Sequence, residues 1–314
     1  MLTTYRFDGT ISESTLTSPI QPLWYGGKIP PQQLIHYFND RFENEHLPGY
    51  RPFMLKNGLV SGIFGPFRIS SAFSPIRHAS NHEVLAGHIA QVTVTPDDNY
   101  LQQTQSSSSG ALLTDVIARP ADFQSIISLD RLNRTVHMLN YLSLSHLGGA
   151  LFLDVDPRHV LGVEQNHGAY FEEIISKCGL LTKNITISLS INSFYALHYE
   201  QLLHGLNNYR QHGYQIALNI GSLFTAPGLQ SLIDKTSPDY LRINAPDNKS
   251  NDSSPETWLK AVKTLQQNQS TYNGQIVLER VVDKEQVNWL DLAKVNLVQG
   301  EYYDKLETDH FRCL

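Results

Sequence analysis

The sequence predicts an α/β fold: a TIM-like (β/α) barrel that follows an N-terminal extension. From about residue 130 onward, short apolar runs alternate with segments of helical spacing in roughly six strand–helix steps, without an internal repeat. The runs are typical of strands that are buried on both faces. No glycine-rich phosphate loop follows any of them, which counts against an open nucleotide-binding sheet. Alternation of this length favours a parallel sheet closed into a barrel.

Length and composition exclude several classes of protein. The chain has 314 residues, enough for one large barrel, and a formal net charge of −6. This charge argues against a general nucleic-acid binder, which usually carries a basic stripe. The polar start and the lack of a long apolar run predict a cytoplasmic protein without a membrane segment. Cys178 and Cys313 are too few for a disulfide framework or a cysteine metal site.

Two domains are expected: an extension over residues 1–65 that packs on the barrel, and the barrel domain over residues 66–314. Within the extension, Ile29–Phe42 has the spacing of an amphipathic helix, with prolines at its start. The barrel domain opens with "FRISSAFSPI" and "HEVLAGHIAQVTV", which alternate like paired strands on either side of a turn at Ala79–His82. The polar segment Thr95–Gly110 then predicts a loop.

The rest of the chain is predicted as alternating helices and strands. The predicted strands are Ala150–Val155, Ile185–Ile191, Tyr214–Leu218, Tyr240–Ile243, Ile276–Glu279 and Val295–Val298. The predicted helices are Asp130–Leu147, Ala169–Cys178, Tyr199–His212, Leu229–Ile233, Glu256–Asn268 and Lys284–Lys294. Gly179 and Gly213 mark two helix ends, and Pro157 follows the first of these strands.

Polar residues follow or end most of these strands, and in a barrel such residues converge on one end, the mouth. They are Glu83, Asp154, Asp156, Ser188, Ser190, Asn219, Arg242, Asn244 and Glu279, with Gln286 a few residues later. The acids Glu83, Asp154 and Glu279 are candidate ligands for Mg²⁺ or Mn²⁺, which prefer oxygen. The alternative is a barrel end that is polar because it meets water. His78 and His82 have i, i+4 spacing, but in a turn, which indicates a solvated loop.

The order and spacing of these segments resemble the EAL domain, a bacterial signalling barrel that hydrolyses cyclic di-GMP, over about residues 66–306. "FSPIRHASNHEVLAGH" looks like its opening strand pair, with Glu83-Val84-Leu85 at the Glu-Ala-Leu motif. "LFLDVDPRHV" is similar to the Asn-Leu-Ser-Pro strand, "GLLTKNITISLSIN" to the Glu-Ile-Thr-Glu segment and "GYQIALNIGS" to Asp-Asp-Phe-Gly. "PDYLRIN" stands at Lys-Ile-Asp, "VLERVVDKEQVNWL" at Ala-Glu-Gly-Val-Glu-Thr and "VNLVQGEYYDKL" at the closing Gln-Gly motif.

The resemblance implies which functional positions are kept and which are changed. The first-motif glutamate is kept as Glu83, the last strand glutamate as Glu279 and the downstream glutamine as Gln286. The remaining positions differ from the family pattern. The phosphate-binding arginine falls at Gly87 or His88, the metal-binding asparagine at Asp154, the next glutamate at Ser188, the paired aspartates at Asn219 and Ile220, the lysine at Arg242, its companion aspartate at Asn244 and the second glutamate at Val282.

These changes predict a barrel that does not hydrolyse the phosphodiester. Two-metal hydrolysis needs several anions to hold both cations and to lower the pKa of a bridging water. Ile220 has no lone pair, and Ser188 and Asn219 are neutral ligands. Arg242 places a permanent positive charge where a cation would bind. We therefore expect no cofactor, with Mg²⁺ or Mn²⁺ needed only if activity is retained.

Three functional hypotheses follow. The first is a catalytically inactive protein that acts through a regulatory protein partner. The second is a receptor that binds cyclic di-GMP without cleavage through Glu83, Arg242, Glu279 and Gln286, with Arg280 as a further candidate. Against it stands a buried ion pair of Arg242 with Glu279 or Asp154. The third is an active phosphodiesterase that relies on Glu83, Asp154, Asp156 and Glu279. A homodimer is left open, through another surface, because "SLFTAPG" lacks the family's dimerisation pattern.

Overall fold

The computed structural model describes eight segments of the chain. They are residues 29–45, 48–97, 123–163, 168–191, 193–222, 228–246, 255–269 and 273–304. Residues 1–28, most of the predicted polar loop at Thr95–Gly110 and most of "SLFTAPG" lie outside the described residues. Within these segments, no helix is both long and apolar enough to span a membrane.

Ten strands and eight α-helices make up the described fold. The strands are β1 (Phe53–Lys56), β2 (Leu59–Phe64), β3 (Phe67–His78), β4 (Asn81–Pro96), β5 (Ala150–Val155), β6 (Ile185–Ser190), β7 (Gln215–Gly221), β8 (Tyr240–Asn244), β9 (Gln275–Glu279) and β10 (Leu297–Val298). The helices are α1 (Pro31–Glu45), α2 (Phe123–Tyr141), α3 (Pro157–Gly162), α4 (Ala169–Lys177), α5 (Tyr199–Gln211), α6 (Leu229–Thr236), α7 (Pro255–Gln269) and α8 (Lys284–Ala293).

Strands β3 to β10 close into an eight-stranded barrel, which confirms the predicted fold class. Neighbouring strands from β4 to β10 are parallel, while β3 is antiparallel to both β4 and β10 and joins them. Because seven strands run in one direction, their carboxyl ends meet at the same end of the barrel. That end is the mouth.

Side chains alternate between the barrel interior and the surrounding helices, as the two-residue period of a strand requires. The outward residues join the large core between strands and helices, as Leu153, Leu189 and Leu278 do. The inward residues form a separate small apolar cluster at the amino end, made of Ile76, Ile89, Ala150, Phe152, Ala217, Val277 and Leu297. The next inward positions, two residues later along several strands, are polar. The interior therefore has an apolar floor and a polar upper layer.

The described part of the extension is attached to the barrel by both backbone and side chains. Strand β2 pairs with β3, so the hairpin β1–β2 continues the barrel sheet. Asn39 on α1 donates to the Phe53 carbonyl and accepts from the Phe53 amide, at 2.9 and 2.8 Å. The ring of Tyr170 on α4 lies between the guanidinium groups of Arg41 and Arg131, each 4.1 Å from its centroid. The domain boundary at residue 65 stays a prediction.

Most predicted barrel elements agree with the structure to within a few residues, and one helix differs. The helix predicted for Asp130–Leu147 is α2, which begins at Phe123 and ends at Tyr141. A separate 3₁₀ turn covers Ser145–Leu147. The hairpin β1–β2 was not predicted, although its turn is Asn57-Gly58, with φ of 51° and 76°. An Asn-Gly pair with two positive φ angles favours a tight hairpin turn, and this signal was available in the sequence.

Candidate functional site

Four polar side chains meet in the upper interior layer, and we call them the central cluster: Asp154, Ser188, Arg242 and Glu279. Each lies at or near the carboxyl end of its strand, on β5, β6, β8 and β9. Alternation directs all four inward, because their strand neighbours belong to the outer core. Three of the four are buried, whereas the Asp154 side chain is 49% exposed and faces the mouth.

The guanidinium of Arg242 is the centre of this cluster. Its Nε donates to Glu279 Oε1, and its Nη1 donates to Asp154 Oδ1 and to Ser188 Oγ, both at 2.5 Å. The ion pair expected from the sequence is therefore present with both acids. The remaining nitrogen, Nη2, has no hydrogen-bond partner among the described residues and is not fully enclosed. One donor of the cluster is thus left for a group at the mouth.

The electrostatics keep Arg242 charged. Burial lowers its pKa, but the carboxylates of Asp154 and Glu279 raise it by more, so the net shift is upward. Burial raises the pKa of Glu279, and the Arg242 charge lowers it by less. We therefore expect the guanidinium to be a permanent cation, with Glu279 harder to ionise than a glutamate in water. The charges of the cluster are largely balanced from within.

Glu83 does not lie at the mouth, so its assignment as a metal or ligand residue is wrong on position. The first residue of β4 that pairs with β5 is Gly87, opposite Ala150. Glu83 precedes Gly87 by four residues, is exposed and lies near the turn at the amino end of the barrel. The residue of β4 that joins the interior floor is Ile89. Of the three acids predicted as candidate metal ligands, the described mouth therefore contains two, Asp154 and Glu279.

The residues of β7 and β8 that replace the paired and companion aspartates have separate environments. Asn219 faces the interior and accepts from the Gly221 amide at 3.1 Å, which stabilises the turn after β7. Ile220 does not face the mouth, because alternation along β7 places it, like Ile216 and Leu218, in the outer core. Asn244 pairs with Glu279 across the strands, and its side chain is 3.5 Å from Ser222. Ile220 thus affects packing rather than ligand chemistry.

Gln286 is placed for a structural role. Its Oε1 accepts from the Val282 amide at 2.7 Å, and its Nε2 donates to the Pro246 carbonyl at 2.9 Å. Both bonding groups of the side chain are used to join the loops after β8 and β9. A comparable bond not predicted from sequence joins Gln299 to Ser74 at 2.5 Å, across β10 and β3. Arg280, with a positive φ of 60°, is exposed beside these loops.

A second buried cluster was missed by the sequence reasoning, and we call it the outer cluster: Asp130, Arg134, His159 and Tyr209. Arg134 has no exposed surface and donates to the Asp130 carboxylate and to Tyr209 Oη, the latter at 3.0 Å. Its guanidinium lies 3.7 Å from the centroid of Phe171 and 3.2 Å from His159 Nε2. The spacing Asp130 to Arg134, i to i+4 on a helix, was the signal available in the sequence.

A cavity of about 290 Å³ lies beside the mouth, between α2 and the ends of β5 and β6. Asp130, Asp154, Asp156 and Ser190 contribute to its polar wall. Arg158 also lines it, but its guanidinium is paired with Asp156 at 2.6 Å. The wall therefore has more acidic than basic groups, and a cationic or neutral occupant suits it better than an anion.

No protein-family model and no curated protein matches the sequence. Solved structures match by shape. Bacillus subtilis YkuI, with an EAL domain and in complex with cyclic di-GMP and calcium, is 17% identical with a TM-score of 0.57, over 74% of this chain and 54% of that one. A standalone EAL protein from Vibrio cholerae O395, bound to cyclic di-GMP, is 19% identical with a TM-score of 0.56, over 75% and 91%.

A third structure, Klebsiella pneumoniae BlrP1 with manganese and cyclic di-GMP, is 15% identical with a TM-score of 0.58, over 86% of this chain and 64% of that one. This chain has the fold of an EAL domain. It spans about half of YkuI and about two thirds of BlrP1. At these sequence identities, the similarity supports the fold alone. The chemistry of the mouth has to be inferred from the residues of this chain.

The EAL fold implies divalent metal ions, and the residues at this mouth do not fit them. Asp154 and Glu279 are the acids of the central cluster, and each already bonds to Arg242. A metal ion at the same place would be repelled by a guanidinium that cannot lose its proton. Among the described residues, no group of three or more His, Cys, Asp or Glu is arranged to hold a metal ion. No step of catalysis through a metal follows from this donor set.

Proposed function

We propose that this chain is a non-catalytic EAL-fold signalling protein of the bacterial cytoplasm that acts by binding another, regulatory protein. The observation that carries the proposal is the position of Arg242. Its guanidinium bonds to Asp154, Ser188 and Glu279, the oxygen ligands that a hydrolytic barrel would offer to metal ions. A barrel whose cation is part of the chain keeps its fold without the means to activate water.

The surroundings of the cluster support the same proposal. The cavity beside the mouth has an acidic wall, which opposes the two phosphates of cyclic di-GMP. Glu83 is at the other end of the barrel, and Ile220 packs in the outer core. The two acids at the mouth, Asp154 and Glu279, are both engaged by Arg242. The homodimer that the sequence leaves open stays untested.

The test of this proposal is a turnover assay on the purified chain. Cyclic di-GMP is incubated with the protein and Mn²⁺ or Mg²⁺, and the linear dinucleotide is separated by chromatography. We expect none above the level of a protein-free sample. Release of the linear product by the wild-type chain, and its loss in Glu279→Gln, would contradict the proposal and support the active phosphodiesterase.

The second candidate is a receptor that binds cyclic di-GMP without cleavage, and one observation favours it. Arg242 Nη2 is the unpaired donor at the mouth, and a phosphate oxygen is a suitable acceptor. Calorimetric titration of cyclic di-GMP separates the candidates. We expect a flat titration. Binding by the wild type that is lost in Arg242→Met and kept in Arg158→Met would establish the receptor instead.

A further inference from the structure

One edge of the described sheet is open, and it belongs to the hairpin β1–β2. Strand β1 is the last strand of the sheet and pairs with β2 alone among the described strands, whereas β3 to β10 close into the barrel. In an antiparallel hairpin with a two-residue turn, hydrogen-bonded pairs alternate with non-bonded pairs, starting from a bonded pair beside the turn. That first pair is Lys56 with Leu59. Phe53 and Leu55 therefore direct their N–H and C=O groups away from β2.

Helix α1 covers part of this edge and bonds to it through one side chain. Asn39 Nδ2 donates to the Phe53 carbonyl at 2.9 Å, and Asn39 Oδ1 accepts from the Phe53 amide at 2.8 Å. Phe38 and Phe42 of α1 also pack against the Phe53 ring, with centroids 6.3 and 4.9 Å away. The outward groups of Leu55 have no hydrogen-bond partner among the described residues. The carboxamide thus takes the place of a neighbouring strand at one of the two outward positions of β1.

A second asparagine makes the same contact away from the edge. The Val60 amide donates to Asn140 Oδ1, and Asn140 Nδ2 donates to the Val60 carbonyl, both at 2.8 Å. Asn140 lies on α2, and its Nδ2 is also 3.3 Å from Ser71 Oγ on β3. Val60 belongs to β2, which has a neighbouring strand on each side. Because Asn39 and Asn140 make the same contact and are both buried, a difference between their variants measures the effect of the edge.

We infer that α1 is a cover for the β1 edge, held in place by Asn39, and that its displacement lets two copies of the chain pair through β1. A second copy is the occupant because the edge is complementary to itself. When two β1 strands lie antiparallel about a two-fold axis, the outward groups of each strand meet those of the other. Met54 and Leu59, which are 41% and 39% exposed, lie on one face of the hairpin and add apolar surface to such a pair. The inference is independent of the proposed function.

The test is sedimentation velocity of Asn39→Leu over a series of protein concentrations. The substitution keeps the approximate size of the side chain but leaves the buried amide and carbonyl of Phe53 unpaired, so α1 should leave the edge more often. We expect self-association about tenfold or more tighter than in the wild type. Asn140→Leu loses the same two bonds and should sediment like the wild type. Hydrogen exchange followed by mass spectrometry should be faster in α1 and β1 of dilute Asn39→Leu, and slower in β1 as the dimer forms.

A second substitution identifies the surface through which the copies associate. Met54→Lys in the Asn39→Leu chain places a positive charge from each copy close to the two-fold axis, so it should return the association to the wild-type level. Leu292→Lys, which changes a leucine that is 55% exposed on α8, should leave the association unchanged. If Asn39→Leu does not fold, Asn39→Asp is the milder variant, because its carboxylate still accepts from the Phe53 amide. It should associate more tightly than the wild type.

Three results overturn the inference. They are no gain of association in either Asn39 variant, an equal gain in Asn140→Leu, and a gain that Met54→Lys leaves in place. The last two would show that the copies associate through exposed core rather than through the β1 edge. The wild type is the reference in every comparison, so a dimer through another surface does not change the outcome. Turnover of cyclic di-GMP would overturn the proposed function alone.

Discussion

The protein buries two arginines in ionic clusters of similar composition, and the clusters differ in how far solvent reaches them. Arg134 lies among helices and has no exposed surface, with Asp130, Tyr209 and the Phe171 ring around it. Arg242 lies inside the barrel near the mouth, with one nitrogen unpaired and a half-exposed carboxylate beside it. A buried charge alone therefore does not mark a functional site. Each arginine has one nitrogen without a hydrogen-bond partner among the described residues, Nε in Arg134 and Nη2 in Arg242, but only Arg134 Nε is fully enclosed.

The energetic roles of the two clusters should differ for the same reason. Water cannot replace the partners of Arg134, because the helices enclose it. At the mouth, water can reach the Asp154 carboxylate, and a buried Glu279 has a raised pKa and can take up a proton. We expect the outer cluster to contribute more to stability than the central cluster does.

The largest effect is expected from Arg134→Met. The variant leaves the Asp130 carboxylate buried without its cation, so the free energy of unfolding should fall by about 3–5 kcal/mol. Urea denaturation followed by circular dichroism measures it. The matched control is Arg158→Met, which removes a partly exposed pair with Asp156 and should cost under about 1 kcal/mol. Equal losses of unfolding free energy in Arg134→Met and Arg158→Met would show that the buried ion pair is no more stabilising than the partly exposed one.

A comparable effect is expected from His137, one turn along α2 from Arg134. Burial lowers its pKa from 6.5 to about 4. A histidine with a depressed pKa stabilises the fold above pH 6.5, and this contribution is lost as the pH falls toward 4. The loss is about 3 kcal/mol. His137→Gln should lack this part of the acid sensitivity in urea denaturation at pH 7, 5.5 and 4.5, while His36→Gln, on the exposed face of α1, should behave like the wild type.

A smaller loss of stability, about 1–3 kcal/mol, is expected from Arg242→Met. The same variant should gain a property that Arg134→Met does not. With the guanidinium gone, Asp154, Ser188 and Glu279 become free oxygen ligands around one point, and Mn²⁺ should bind weakly. Calorimetric titration of Mn²⁺ into both variants and the wild type checks this. Mn²⁺ uptake by the wild type would show that the guanidinium does not fill the cation position.

The smallest effect is expected from Tyr209→Phe, which removes the hydroxyl that accepts from Arg134 at 3.0 Å. The guanidinium keeps Asp130 and the Phe171 ring, so the loss should be about 1 kcal/mol. Thermal and urea denaturation together measure it. A loss equal to that of Arg134→Met would mean that the hydroxyl, and not the carboxylate, stabilises the outer cluster.

The barrel was predictable from the sequence because its signals are local. Apolar runs such as Ala150–Val155 and helices such as Tyr199–Gln211 follow from spacing and from the glycines that end them. The inward orientation of Arg242 and Glu279 was predictable from their positions at strand ends. Their ion pair was predictable from their opposite charges. The identity of the fold was accessible through the order of weak motifs, which shape comparison then supported at 14–19% identity.

The positions that were wrong depended on register, which spacing alone does not determine. The sequence around Glu83 resembles the family motif, but the pairing of Ile76 with Gly87 in the hairpin β3–β4 determines which residues of β4 lie inside the barrel. The interior residue of β4 is Ile89, six residues after Glu83. Ile220 is an outward position by the ordinary alternation of β7, as Ile216 and Leu218 are, so its side chain belongs to the outer core. The outer cluster depends on contacts between α2, α3 and α5, which lie far apart along the chain.

The cation at the centre of the barrel is covalently part of the polypeptide, and this has a consequence for control in the cell. A barrel that binds a metal ion from solution loses that charge when the concentration of the ion falls, or when a chelator removes it. The guanidinium of Arg242 is covalently attached, so it cannot dissociate or exchange with ions in solution. The positive charge of this interior is therefore independent of metal availability.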